Sequence, residues 1–187
     1  MTIGYGLLGL VAALIGYFIY GYNALIKKRN LVAEGWSGID VQLRRRADLV
    51  PNLVETVKGY AAHEDRLFRD LADLRAKSIS GGSVNQQSTT GQAMSAALGR
   101  LFAVAEAYPE LKADANFRDL QDKLAGIEDE IQLSRRYYNG AVRNLNTMVE
   151  SFPTNLIADG FHFNKAEFFE IGDEAARQVP RVELKKE

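Results

Sequence analysis

The sequence predicts an all-α protein: an N-terminal transmembrane helix, then an antiparallel bundle of three long helices plus a short C-terminal helix. Three observations carry this reading. Residues 3–22 contain no charged side chain. Beyond them, apolar residues recur every three or four positions over long stretches, the period of a helix that buries one face. Those stretches are joined by short or polar connections, so their apolar stripes must pack against each other.

Composition narrows the field further. The chain has 187 residues, a length that suggests one domain, and 47% of them are hydrophobic. Its 23 basic and 24 acidic residues leave a net charge of −1, without the basic excess of a nucleic-acid binder. It has no cysteine, which removes disulfides, thiolate metal sites and cysteine nucleophiles together.

The anchor is assigned to residues 1–26. Twenty residues from Ile3 to Tyr22, at about 1.5 Å each, span roughly 30 Å, the thickness of a bilayer core. Tyr5 stands near one end, and Tyr17, Phe18, Tyr20 and Tyr22 crowd the other, where amphipathic rings favour the headgroup level. A cleaved signal peptide would have a basic segment before the apolar run and a small-residue cleavage site after it. This run is instead followed by Lys27, Lys28 and Arg29, so a retained anchor is expected. From Lys27 to Arg46 there are six basic residues against two acidic ones. The positive-inside rule then places the N-terminus outside and the body in the cytoplasm. Lys27, Lys28 and Arg29 lie close enough to the membrane to attract anionic headgroups. Gly9, Ala12, Ala13 and Gly16 form a small-residue face. Such residues are common in membrane helices, but their spacing also allows two helices to approach closely and self-associate.

The helical body is assigned to residues 27–171. Its first stripe runs through Val32, Trp36, Ile39, Leu43, Ala47, Val50, Val54, Val57, Ala61, Phe68 and Leu71. Pro51 lies inside it and predicts a kink near Val50, within one bent helix because the phase survives. Residues 78–92, rich in Ser, Gly and Gln, read as a flexible loop. A second helix is expected from Ala93 to Tyr108, stopped by Pro109. A third is expected from Ala115 to Ser151, with Asp114 as its N-cap. A short helix is expected around Lys165–Phe169. Phe161, Phe163, Phe168 and Phe169 either cap the bundle or form a partner or lipid surface. Residues 172–187 form a charged tail.

A search for catalytic constellations finds no H-E-x-x-H, paired E-x-x-H, G-x-S-x-G or P-loop pattern, and no catalytic, metal or cofactor site is assigned. The two histidines, His63 and His162, lie far apart in the chain. Glu128, Asp129 and Glu130 read as a solvated helix face. Two polar runs are assigned mainly to specifying the bundle: Asp40, Arg44 and Asn52 in the first, and Arg135, Arg136, Tyr138 and Asn139 in the second. Asp40 and Arg44 are four apart and can pair on one helix. The arginine adjacent to tyrosine can make cation–π or interhelical bonds.

These runs carry a family resemblance. Arg29-Asn30, Trp36-Ser37 and Ile39-Asp40-Val41-Gln42-Leu43-Arg44-Arg45-Arg46 resemble the LemA family, as do the residues from Asp48 to Tyr60 with His63-Glu64. Residues Glu106 to Lys112, Arg135 to Asn139, and Phe152-Pro153 with Asn155, Ile157 and Ala158 resemble its later blocks, in order. The resemblance implies a single-pass membrane protein with a long-helix bundle in the cytoplasm. It supplies no catalytic residue, and non-enzymatic function is expected. Two functional classes follow. One is a self-associating scaffold that shapes the membrane or organises other membrane proteins. The other is an adaptor for a membrane-protein client such as a protease or signalling protein.

Overall fold

The computed structural model describes residues 2–170, and those residues are all-helical apart from their turns and one extended segment. Six helices follow in order: α1 (Thr2–Lys58), α2 (Asp65–Ser80), α3 (Val84–Glu106), α4 (Pro109–Ala113), α5 (Ala115–Glu150) and α6 (Thr154–Gly160). The charged tail expected at 172–187 lies outside the described residues.

At 57 residues, α1 is about 86 Å long by its rise per residue. It is continuous from the apolar run into the bundle, where α5 packs antiparallel along it. A Cβ added at Gly35 would lie 3.0 Å from the Tyr138 Cα, so the two backbones approach closely there. Nearer the N-terminus, Leu25 shares a buried cluster with Leu145, Ile157, Ala158 and Phe163. A middle cluster joins Ile39 and Leu43 to Ile131, Tyr138, Val142 and Phe169. The distal cluster joins Val50, Leu53 and Val57 to α2, α3, Leu111 of α4 and the start of α5, through Leu71, Met94, Leu101 and Phe117.

Pro51 does not interrupt α1. Lacking an N–H, it leaves the Ala47 carbonyl without its helical donor. Arg75 Nε, from α2, donates to that oxygen at 3.1 Å. The stripe expected to run through to Leu71 as one helix is broken after Lys58. Tyr60 N and Ala61 N both donate to the Val57 carbonyl, at 3.0 and 2.9 Å, and the chain folds back into α2. The periodicity persists across the break because Ala61, Phe68 and Leu71 enter the same core as Val57.

The expected loop at 78–92 is mostly helix. Only Gly81, Gly82 and Ser83 leave it, the two glycines at φ of 76° and 145°, values that glycine adopts without strain. Ser83 then opens α3 with a reciprocal cap. Gln86 N donates to Ser83 Oγ at 3.2 Å, and Ser83 N donates to Gln86 Oε1 at 2.9 Å. Gln87 and Ser88 are buried, so this polar composition packs against neighbours. The Asp114 cap is present as expected, its carboxylate accepting from Asn116 N and Phe117 N at 2.8 and 2.9 Å. Pro109, expected only to stop the second helix, also starts α4 at its first position.

The short helix expected around Lys165–Phe169 is absent, and that segment is an extended strap. Its backbone groups are taken by side chains of α5. Asn146 Oδ1 accepts from Ala166 N at 2.8 Å, and its Nδ2 donates to Ala166 O at 3.0 Å. Asn139 does the same for Phe169 N and O, at 2.9 and 3.1 Å. Seven helical residues rise about 10.5 Å, and three extended residues cover about 10 Å. The two amides therefore match the strap's repeat, and a helix in the strap would lose both.

Candidate membrane interface

The first part of α1 is apolar on every face and covered by nothing. Leu7, Leu8, Leu10, Leu14, Ile15 and Ile19 are 55–71% exposed. Among the described residues, α1 is the one helix long and apolar enough to cross a membrane, by length and composition. Gly9 and Gly16 have open space where a Cβ would stand, and Ala12 and Ala13 are exposed. The small-residue face is thus unoccupied.

The first buried residue of α1, among those described, is Gly21. A Cβ there would lie 2.6 Å from Ile157 Cδ1, so α6 crosses α1 where α1 has no side chain. Phe161 contacts Phe18 and Tyr22, with ring centroids 5.6 and 5.0 Å apart. Phe163 is buried against Tyr22 at 5.8 Å. Of the three basic residues after the apolar run, Lys27 and Arg29 are exposed and Lys28 is half-buried. The Arg29 guanidinium lies 5.4 Å from the Phe163 ring centroid, within cation–π range.

The four C-terminal phenylalanines divide. Phe163 and Phe169 are core, Phe169 beside Trp36 at 6.2 Å between centroids. Phe161 and Phe168 remain exposed.

The polar residues divide as well. Tyr138 and Asn139 bond to the strap, Tyr138 by donating its hydroxyl to Glu167 O at 2.8 Å. Burial, followed by the nearby Glu167 charge, raises the Tyr138 phenol above its usual value. Asp40 and Arg44 pair at 3.0 Å along α1 itself, and so tie no two helices together. Asn52 and Arg136 are exposed. Arg135 is half-buried beside a cleft. Partial burial lowers its guanidinium from the usual value, Glu128 opposes that shift, and Arg136 adds to it.

The central polar contact is Arg46, which the sequence reading left within a basic triplet. Its side chain is 2% exposed. Nη1 donates to Glu128 Oε2 and to Ser95 Oγ, both at 2.9 Å, and Nη2 donates to Gly91 O at 3.1 Å. Ser95 Oγ also lies 3.2 Å from Glu128 Oε1. One guanidinium thus braces α1, α3 and α5. Burial pushes its pKa down, and the Glu128 carboxylate beside it opposes that shift. A cleft of about 470 Å³ opens beside this network, with Arg135, Gln132 and Glu170 also on its walls.

The sequence matches a known family and several known proteins. A family model described as LemA family matches residues 35–184. Magnetosome protein MamQ 2 of Paramagnetospirillum magneticum is 26% identical over 186 residues, covering 86% of this chain and 68% of that protein. Magnetosome protein MamQ of Magnetospirillum gryphiswaldense is 24% identical over 185 residues, covering 85% of this chain and 68% of its own length. Protein LemA of Metamycoplasma hominis is 25% identical over 174 residues, covering 91% of this chain and 77% of that protein.

Proposed function

The chain belongs to the LemA family, and on that premise we propose that it is a single-pass scaffold of the bacterial inner membrane, self-associating through α1 and carrying its bundle in the cytoplasm. The observation that carries the proposal is the contrast within α1. Its first part is apolar and exposed on all sides, whereas from Leu25 onward one stripe is buried and the other faces carry charge. A helix that is apolar all round requires either a protein core or a lipid environment, and no core surrounds this one among the described residues. Lys27, Lys28 and Arg29 support the cytoplasmic orientation. The open face at Gly9, Ala12, Ala13 and Gly16 supports helix–helix contact in lipid. No catalytic step is part of this reading.

The test is the mass of the full-length chain, extracted with its native lipid and weighed particle by particle. A discrete homo-oligomer supports the scaffold. A single copy holding a stoichiometric foreign protein would replace it with the adaptor reading. Orientation is tested separately, because the chain has no cysteine of its own. A cysteine introduced near Gly81 should resist an impermeant thiol reagent in intact cells and react after the membrane is opened.

A further inference from the structure

We propose that the corner between α5 and α6 is a second membrane contact, in which Phe152, Leu156 and Phe161 enter the cytoplasmic headgroup layer beside the emerging α1. This rests on the reading that the first part of α1 spans the bilayer. Outside the apolar run Tyr5–Tyr20, Phe152 at 79% and Leu156 at 63% are the two most exposed large apolar side chains among the described residues. Such residues scattered singly need no explanation. These two are four positions apart at one end of the bundle, and Phe161, 49% exposed, joins them five positions on.

Position in the fold identifies the occupant. Gly35 on α1 lies opposite Tyr138 on the antiparallel α5. Twelve residues further along α5 is its last residue, Glu150, and twelve residues back along α1 is Asn23. The end of α5 therefore lies level with Asn23, just past the apolar run that ends at Tyr22 and four residues before the first charge, Lys27. Gly21 against Ile157, and Phe18 and Tyr22 against Phe161, place α6 at the same level. From Ile3, Phe18 and Tyr22 lie roughly 22 and 28 Å along the helix, at the far edge of a hydrocarbon core about 30 Å thick. The exposed corner is thus continuous with a surface already assigned to lipid. Aromatic and aliphatic side chains at this depth gain apolar contact without crossing the core.

The polar groups nearby limit the depth. Asp159 is exposed on α6, and Lys165 pairs with Glu150 at 2.7 Å with both side chains more than half exposed. A carboxylate and an ion pair at this end keep the corner within the hydrated headgroup layer. With α1 alone the bundle would be tethered at one point. With the corner it rests on the membrane at two, which fixes its tilt.

Single cysteines carrying a nitroxide, introduced into the full-length chain at Phe152, Leu156 and Phe161, test this after reconstitution at one chain per lipid nanodisc. Collision with oxygen reports lipid, and collision with a water-soluble nickel chelate reports solvent. Position 14 tests the anchor, and Ala62, at the distal end, is the aqueous control. The corner labels should show an oxygen-to-nickel ratio several-fold above that at Ala62 and below that at Leu14. If Leu14 reports lipid while the corner labels match Ala62, the second contact is wrong and the anchor stands. If Leu14 itself reports water, the anchor reading fails and the corner proposal fails with it. Corner labels shielded from both reagents would mean a protein contact instead, and would also overturn the proposal.

Discussion

The two parts of α1 are one uninterrupted helix in two environments. Over Gly4–Tyr20 every face is apolar or small and every residue is exposed, with one ring contact, Phe18 to Phe161. Over Leu25–Val57 the buried positions are just as apolar, with Leu25, Ile39, Leu53 and Val57 fully buried, but charge fills the opposite faces. The difference lies in what surrounds the stripe. An apolar stripe specifies a protein neighbour only when the rest of the helix prefers water. The one charged group on the buried stripe, Arg46, tests that distinction from the packed side.

The largest expected effect is therefore at Arg46. Replacing it with alanine removes a three-helix brace and leaves Glu128 beside a void. Loss of one partner of a buried pair costs about 3–5 kcal/mol. The Glu128 side chain is 39% exposed and keeps part of its hydration, so Arg46→Ala should lower the unfolding free energy of the reconstituted bundle by about 3 kcal/mol, the low end of that range. Membrane partition should not change. The double variant Arg46→Met with Glu128→Leu should recover most of the stability, because neither charge is then left alone.

The reverse experiment places a charge in the unpartnered part. Leu14→Arg should disfavour bilayer insertion by about 3 kcal/mol, read as the fraction of chain recovered in membranes after synthesis with vesicles. The bundle should retain its denaturant midpoint, since Leu14 is 61% exposed and touches none of the three buried clusters. A parallel loss of bundle stability would show that the two parts are not independent.

Both Arg46 and Glu128 could have been found in the sequence. Arg46 stands three after Leu43 and four before Val50, and Glu128 stands four after Leu124 and three before Ile131. Each is therefore in phase with its own stripe, yet three adjacent arginines hide the one that turns inward, and the triplet of acids reads as a solvated face. The long helices and the Asp114 cap were legible because apolar period and capping chemistry are local. The start of α3 was also legible, in Ser83 and Gln86 at capping-box spacing, but the Ser- and Gly-rich composition around it concealed the signal. The strap was not legible. Its shape depends on Asn139 and Asn146, at least twenty residues away, and no local preference encodes that pairing.

Pro51 sharpens the comparison within the packed part alone. If Arg75 stands in for the missing helical donor, Arg75→Ala should cost about 1–3 kcal/mol by leaving the buried Ala47 carbonyl unsatisfied. In a Pro51→Ala background the residue-51 N–H can take that oxygen, and the same Arg75→Ala change should cost less than about 1 kcal/mol. A double-mutant cycle in chemical denaturation measures the difference as a coupling energy. Additive costs would mean that Arg75 acts only through packing.

The smallest expected effect separates local capping from tertiary packing at the α2–α3 turn. Ser83→Ala removes the acceptor for Gln86 N and should cost about 1 kcal/mol. Gln86→Ala removes the return bond to Ser83 N, and the two changes together should cost less than their sum, because each bond positions the other. Hydrogen exchange should show the loss confined to the first turn of α3, with the amides of α1 and α5 unchanged. Exchange spreading to the middle cluster would mean that Gln87 and Ser88, buried one turn on, depend on the cap for their place in the core.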